Sequence, residues 1–295
     1  MNTAASSTTP SFTEHRIASG QGRVYARDYA GSGPAFVLMH GFPDNLHIYD
    51  ELIAHLVGAG RRVVSFDFLG FGQSDKPAGA VYNFAQQLGD LRAVVAALDL
   101  ERIVPVAHDA AGPAAVNFAL EQPDRVAALH LLNTLYALTP ALRMPELIEI
   151  FASPSMKAVA AAFAQSPEQF GWLLGVQQAQ FHASLPASQQ AHFLDVMPGL
   201  IGDNFRQQPS ALPAFAQMNA DLFAEVARNA ARLHDVAALE MPVKLIWGQA
   251  DPYLGVALAE DFTRRFKHVT LDLVEAGHWL QVDAPARVAA LMTAA

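Results

Sequence analysis

The 295-residue chain contains no cysteine, which excludes disulfide stapling, thiolate catalysis and thiolate metal sites. It also lacks any uninterrupted apolar run of about 18 residues, the length one helix needs to cross a bilayer. This holds although 52% of its residues are hydrophobic and its mean hydropathy is +0.18. Basic residues are scarce: 19 Lys and Arg against 28 Asp and Glu leave a formal charge of −9, which argues against a nucleic-acid surface. Residues 1–13, rich in Ser, Thr and Ala, have neither a basic start nor an apolar segment and read as a disordered tail rather than an export signal. The histidines lack metal-ligand spacing, and Gly70-Phe71-Gly72 does not open a strand-to-helix phosphate turn, so no metal and no nucleotide cofactor is expected. A soluble, cytoplasmic protein without nucleic-acid or membrane partners is expected.

What the chain does contain is alternation. Short aliphatic and β-branched runs at Arg23–Tyr29, Ala35–Met39, Arg62–Phe66, Arg102–Ala107, Ala127–Leu132, Val243–Trp247 and Val269–Val274 read as strands. Between them Asp50–Leu56, Phe84–Leu98, Ala114–Leu120 and Val256–Phe266 carry apolar residues at helical spacing. Strand-helix alternation of this kind predicts an α/β fold, a mostly parallel sheet flanked by helices. The rhythm stops at residues 135–239, where no strand is evident and prolines 140, 145, 154, 167, 186, 198, 209 and 213 divide short helical segments. The expected organisation is a core of residues 14–134 and 240–295 with an inserted helical cap at 135–239.

After Arg102–Ala107 comes Ala107-His108-Asp109-Ala110-Ala111-Gly112 and then a helical pattern. This is the layout of a nucleophile elbow, a strained turn that lifts its central residue above the sheet and needs small neighbours because strand and helix backbones pack closely. Serine enzymes carry Ser at the centre; here it is Asp109. Taken alone, the hexapeptide is equally an Asp capping a helix. Three further placements favour the elbow. His40-Gly41-Phe42-Pro43 follows Ala35–Met39, so the backbone N–H groups of Phe42 and Ala110 can form an oxyanion hole. His278, just past Val269–Val274, is placed as a base, and Asp251, just past Val243–Trp247, can orient its imidazole. Nucleophile, acid and base each sit at the carboxyl end of a predicted strand. His40 and His108 read as packing partners of these loops.

These residues, with Phe66-Asp67-Phe68-Leu69-Gly70-Phe71-Gly72-Gln73-Ser74-Asp75-Lys76-Pro77, Leu132-Asn133-Thr134 and Gly277-His278-Trp279, resemble the haloalkane dehalogenase and epoxide hydrolase branch of the α/β-hydrolases over roughly Val24–Leu291. The resemblance implies an α/β-hydrolase fold and an Asp nucleophile. Residue chemistry is consistent with that: a carboxylate can displace a leaving group at an sp3 carbon to give an alkyl ester, which His278 and water then hydrolyse. Attack on an ordinary ester would yield an anhydride, so ester hydrolysis is disfavoured.

The pocket departs from each branch. Haloalkane dehalogenases generally have Trp after the nucleophile, and many have Asn or Glu after His-Gly; Ala110 and Phe42 stand there. Fluoroacetate dehalogenases place Arg after the nucleophile. Epoxide hydrolases use two cap tyrosines, whereas this cap has only Tyr136 at its start and Phe215 at the late position. Trp172, His182, His192, Gln177 and Asn219 remain as cap candidates, with Trp172 foremost because an indole N–H can hold a halide. A protonated His182 or His192 would serve an epoxide. Asn133 ends its strand where some dehalogenases carry the triad acid; as an amide it cannot act as one, and it is placed with Trp172, His182, Phe215 and Tyr136 around the substrate pocket. The expected activity is that of a cofactor-free hydrolase, monomeric or homodimeric, acting with water on a small hydrophobic substrate. Alkyl halides stand ahead of epoxides, and a hydrolase-fold binding protein without turnover is the non-enzymatic alternative.

Overall fold

The computed structural model describes residues 10–294. Its strands are β1 (Thr13–Ser19), β2 (Gly22–Tyr29), β3 (Ser32–Met39), β4 (Arg61–Phe66), β5 (Ile103–Asp109), β6 (Leu129–Thr134), β7 (Val243–Gly248) and β8 (Val269–Val274). They form one sheet in the order β1-β2-β4-β3-β5-β6-β7-β8. The β1/β2 and β2/β4 pairs are antiparallel, and β4 through β8 run parallel. Parallel strands need crossovers, which helices supply: α1 (Asp50–Gly58), α2 (Phe84–Ala97), α3 (Gly112–Glu121) and, after the cap, α10 (Val256–Thr263); α11 (Leu280–Asp283) and α12 (Pro285–Thr293) follow the last strand. The continuous apolar runs of β3, β5 and β6 are buried along nearly their whole length, as strands covered on both faces require.

The first strand was not anticipated. Its residues alternate between exposed and buried because β1 is an edge strand with one face in water, so no apolar run marks it. Phe12 packs on Tyr29 with ring centroids 5.2 Å apart, so order begins before residue 14, where the core was expected to start. The rest of the expected tail, residues 1–9, lies outside the described residues.

Between β6 and β7 lie α4 (Glu146–Ala152), α5 (Lys157–Gln165), α6 (Pro167–Ser184), α7 (Ala187–Arg206), α8 (Leu212–Ala230) and α9 (Leu233–Val236), with no strand among them. Prolines 167 and 213 open helices, but Pro198 lies inside the 20-residue α7 and does not divide it. Helix α8 buries Phe215, Met218, Leu222 and Val226, one stripe at spacings of three and four, which turns a single face toward the core. Asn204 of α7 ties cap to core: its amide donates to the carbonyls of Pro43 (2.7 Å) and Asp44 (2.9 Å) and accepts from the N–H of Gly72 (2.9 Å). No single helix among the described residues is long and apolar enough to cross a membrane.

Candidate active site

The sheet order makes β5 a neighbour of both β3 and β6, so Asp109, at the end of β5, stands between the loop after β3 and the end of β6. Asp109 has φ +50°, the left-handed region that side chains other than glycine seldom occupy, as an elbow requires. The close approach is real at two glycines. A Cβ on Gly112 would lie 2.2 Å from the carbonyl oxygen of Leu135, and one on Gly41 would lie 2.5 Å from the Asp109 Cβ. The Thr134 hydroxyl donates to the Asp109 carbonyl and closes the turn.

The Asp109 carboxylate is held asymmetrically. Oδ2 accepts from the backbone N–H of Phe42 at 3.1 Å, and the N–H of Ala110 also bonds the carboxylate. Oδ1 faces His278, whose Nε2 is 4.0 Å away. The other ring nitrogen, Nδ1, is 2.7 Å from Asp251 Oδ2. Asp251 is itself saturated: Oδ1 accepts from the N–H groups of Tyr253 (2.9 Å) and Leu254 (3.0 Å), and Oδ2 from the Asn133 amide (2.9 Å). The structure therefore brings together Asp109, His278, Asp251, Phe42 and Ala110.

Electrostatics follows from burial and these contacts. Burial pushes Asp109 up to about 6, against the His278 charge, with Asp44 adding to the rise and the Phe42 and Ala110 N–H groups opposing it. Burial disfavours the His278 cation, but the charge of Asp251, the hydrogen bond to it, and the charges of Asp109 and Asp44 outweigh that and raise it to about 9. Asp251 is driven up by burial yet ends below its ordinary value, because the His278 charge and hydrogen bonds from His278, Tyr253 and Asn133 hold it ionised. His108 is pushed down to about 3, first by burial and then by the His278 charge; its Nε2 donates to the His278 carbonyl at 2.9 Å.

A cavity opens above Asp109, lined by Leu135, Met144, Leu147, Ile148, Leu174, Phe181, Ile201, Leu222, Leu254 and the Trp279 ring. Its polar groups are Asp109, His278, Gln177, Gln178 and Tyr253. The expected pocket residues are largely elsewhere. Trp172 is 65% exposed on the outside of α6. His182 lines a separate groove between α6 and α7, beside Phe193, and His192 pairs with Glu51 at 3.1 Å. Phe215 is buried behind the cavity wall, edge-on to Phe42 and packed on Phe151, Phe170 and Phe205. Tyr136 points away and donates to Asn117 at 3.0 Å. Asn219 is buried within α8, its amide donating to the Phe215 carbonyl at 2.7 Å, and does not line the cavity. Asn133 is fully buried beneath the site, bridging Asp251 and the Gly248 N–H rather than facing a substrate. Among the described residues no group of three or more His, Asp or Glu is arranged to hold a metal.

Two groups escaped the sequence reading. Tyr253, two residues past Asp251, puts its hydroxyl in the cavity wall, where it donates to Glu146 Oε2 (2.5 Å) and accepts from Gln177 Nε2 (2.9 Å). Its signal is its place on the acid loop at the carboxyl edge of the sheet, outside the cap. The second is Asp44, which follows Pro43 and is buried behind Trp279.

The elbow, the two backbone donors and the imidazole-carboxylate pair on this sheet define an α/β-hydrolase. Residues 34–285 match the model of the alpha/beta hydrolase fold family, and the chain belongs to that family. It is 28% identical over 274 residues to haloalkane dehalogenase 2 of Mycobacterium tuberculosis, covering 92% of this chain and 91% of that one. A fluoroacetate dehalogenase of a Burkholderia species is 40% identical over 107 residues, 35% of each chain. The solved haloalkane dehalogenase of Bradyrhizobium elkani superposes with a TM-score of 0.75 at 22% identity, covering 95% of this chain and 97% of that one, a likeness of fold.

Proposed function

We propose that this hydrolase opens an electrophilic sp3 carbon through a covalent alkyl ester on Asp109, with a carbon-bound halogen as the leaving group. The observation that carries this reading is the split environment of the Asp109 carboxylate, with Oδ2 on the Phe42 N–H and Oδ1 turned to the cavity and His278. Oδ1 attacks carbon, the carbon–halogen bond breaks with its electron pair, and Oδ2 becomes the ester carbonyl. Water then attacks the ester carbon while His278 Nε2 takes its proton. The negative charge that gathers on Oδ2 meets the N–H groups of Phe42 and Ala110, and collapse releases the alcohol and restores the carboxylate. Esterification removes the Asp109 charge, which lowers the proton affinity of His278 and prepares it to act as a base.

Gln177 is the donor for the departing halide. Its Oε1 accepts from the Leu147 N–H at 3.2 Å and one amide hydrogen goes to Tyr253, which leaves the second for the cavity. The halogen reading agrees with the dehalogenase names of the relatives. A carboxylate-bearing substrate is disfavoured, since none of the described residues lining the cavity is Lys or Arg.

Tyr253 favours a second reading, an epoxide. Burial, and then its hydrogen bond to Glu146, push the phenol up to about 12. That is still well below water at about 15.7, so once its O–H turns from Glu146 to the cavity it can protonate an opening alkoxide. Glu146, 59% exposed at its side chain, can return the proton from solvent.

The test is His278→Gln incubated with 1-haloalkanes and terminal epoxides, followed by peptide mass analysis. A stable alkyl adduct on Asp109 is expected from the halides; a hydroxyalkyl adduct would select the epoxide. A folded variant left unmodified by both panels overturns the covalent route. So does incorporation of heavy oxygen from labelled water into the alcohol during a first single turnover, since water would then have attacked substrate directly.

A further inference from the structure

Asp44 is a buried carboxylate, 1% exposed, that the route above does not use. Its Oδ2 accepts from Trp279 Nε1 at 2.6 Å and lies 3.9 Å from His108 Nδ1, while its Oδ1 lies 3.6 Å from His40 Nδ1. No Lys or Arg among the described residues forms an ion pair with it. Burying a carboxylate without a strong cation costs several kcal/mol. Two imidazoles face it, and neither is a permanent cation. His108 is held neutral, as described above. Burial disfavours a proton on His40, but its hydrogen bond to Asp44 and the charges of Asp67 and Asp44 outweigh that and raise it above its ordinary value, while its Nε2 lies 3.1 Å from the Phe68 nitrogen. Asp44 in turn is driven up by burial yet held below its ordinary value by His40, His108 and the Trp279 indole, so it stays ionised. Tyr49, which also faces this region, is kept un-ionised by burial and then by the charges of Asp44 and Asp109, and it donates to the Met39 carbonyl at 2.8 Å.

This buried charge is hydrogen-bonded to the residue next to the ring that must become a cation in the second step. Trp279 directly follows His278 and stands edge-on to its imidazole, ring centroids 4.6 Å apart at 90°. The loop bearing Asp44 is pinned from the cap by Asn204. The remaining carboxylates near His278 are Asp251, Asp109 and Asp283, and Asp109 loses its charge once esterified.

We propose that Asp44 is a positioning residue for the hydrolytic step: anchored by the Trp279 indole, it fixes the backbone at His278 and supplies the negative charge that stabilises the imidazolium formed when water is deprotonated. This rests on the covalent reading. Alkylation forms no cation on His278, so Asp44 bears chiefly on the second step. Its charge also adds to the rise of both Asp109 and His278, which makes the pH dependence of each step a reporter of that charge.

Asp44→Asn keeps an acceptor for the indole and removes the charge. Rapid-quench mass analysis of the Asp109 peptide separates formation of the alkyl-enzyme from its decay. At pH 8 formation should stay within about threefold of the parent while decay slows by about tenfold, the effect of one pKa unit on the imidazolium. The pH midpoints of both steps should move down. Equal slowing of both steps with unmoved midpoints would mean a purely structural role and would overturn the proposal. Asp44→Ser, which removes the charge on a shorter side chain, must move the midpoints the same way and serves if the Asn variant misfolds. An adduct absent from the parent and from His278→Gln would instead overturn the covalent reading, a result distinguishable from an adduct that forms and decays normally in the Asp44 variants.

Discussion

Replacing Asn133 should cost stability in an unusual order, with alanine worse than glycine. Asn133 is fully buried with φ +28°. Its Oδ1 accepts the Gly248 N–H at 2.6 Å, and its Nδ2 donates to Asp251 at 2.9 Å. Truncation leaves a buried backbone N–H unpaired, about 1–3 kcal/mol, and removes a hydrogen bond to a charged acceptor, about 1.5–3 kcal/mol. Alanine also keeps a Cβ in a left-handed backbone, roughly 1 kcal/mol more, which glycine avoids. Asn133→Ala should therefore lose roughly 3.5–7 kcal/mol, a large part of the roughly 5–15 kcal/mol of a typical fold, and Asn133→Gly about 1 kcal/mol less. Urea denaturation followed by circular dichroism gives both values from the midpoints, provided the slopes agree. A loss below about 1 kcal/mol for alanine, or glycine no better than alanine, would refute the assignment of Asn133 as the strut beneath Asp251.

The other expectations concern the chemistry. Since burial raises Asp109 to about 6, and only the ionised carboxylate can attack, the rate of alkyl-enzyme formation should fall as pH drops through about 6. The His278 charge holds Asp109 down, so the same midpoint should rise in His278→Gln; rapid-quench rates across pH check both, and an unmoved midpoint would count against the coupling. Gln177→Leu should lower kcat/KM for haloalkanes by about tenfold or more, the loss of one hydrogen bond to developing charge, while Trp172→Ala on the exposed face of α6 should leave it within about twofold. The reverse pattern would restore the indole as the halide donor.

The parallel core was legible in the sequence because continuous apolar runs are the direct mark of strands covered on both faces, and β1 was missed because its sequence, Thr13–Ser19, is mostly polar and exposed and carries no such run. Asp109, Asp251 and His278 were legible for a related reason. Each sits within a few residues of a strand's carboxyl end, where chain geometry leaves little freedom, and parallel pairing sets those ends side by side. The cap offered no such constraint. On α6 a rotation of about 100° per residue separates the exposed Trp172 from the buried Leu173, Leu174, Gln177 and Phe181, and its polar residues are scattered enough that the pattern does not name the inward face. Only packing against the core selects Gln177 and turns Trp172 and His182 away. Asn133 was decided the same way: as one residue it was a polar side chain at a strand end, and the adjacency of β6 and β7 made it the partner of Asp251. The sequence by itself determined which groups meet at the carboxyl edge of the sheet, because they lie on short backbone-limited turns. The tertiary structure decided which groups line the cavity and which buried charge lies behind it, because Tyr253, Gln177 and Asp44 acquire their places from contacts between segments far apart in the chain.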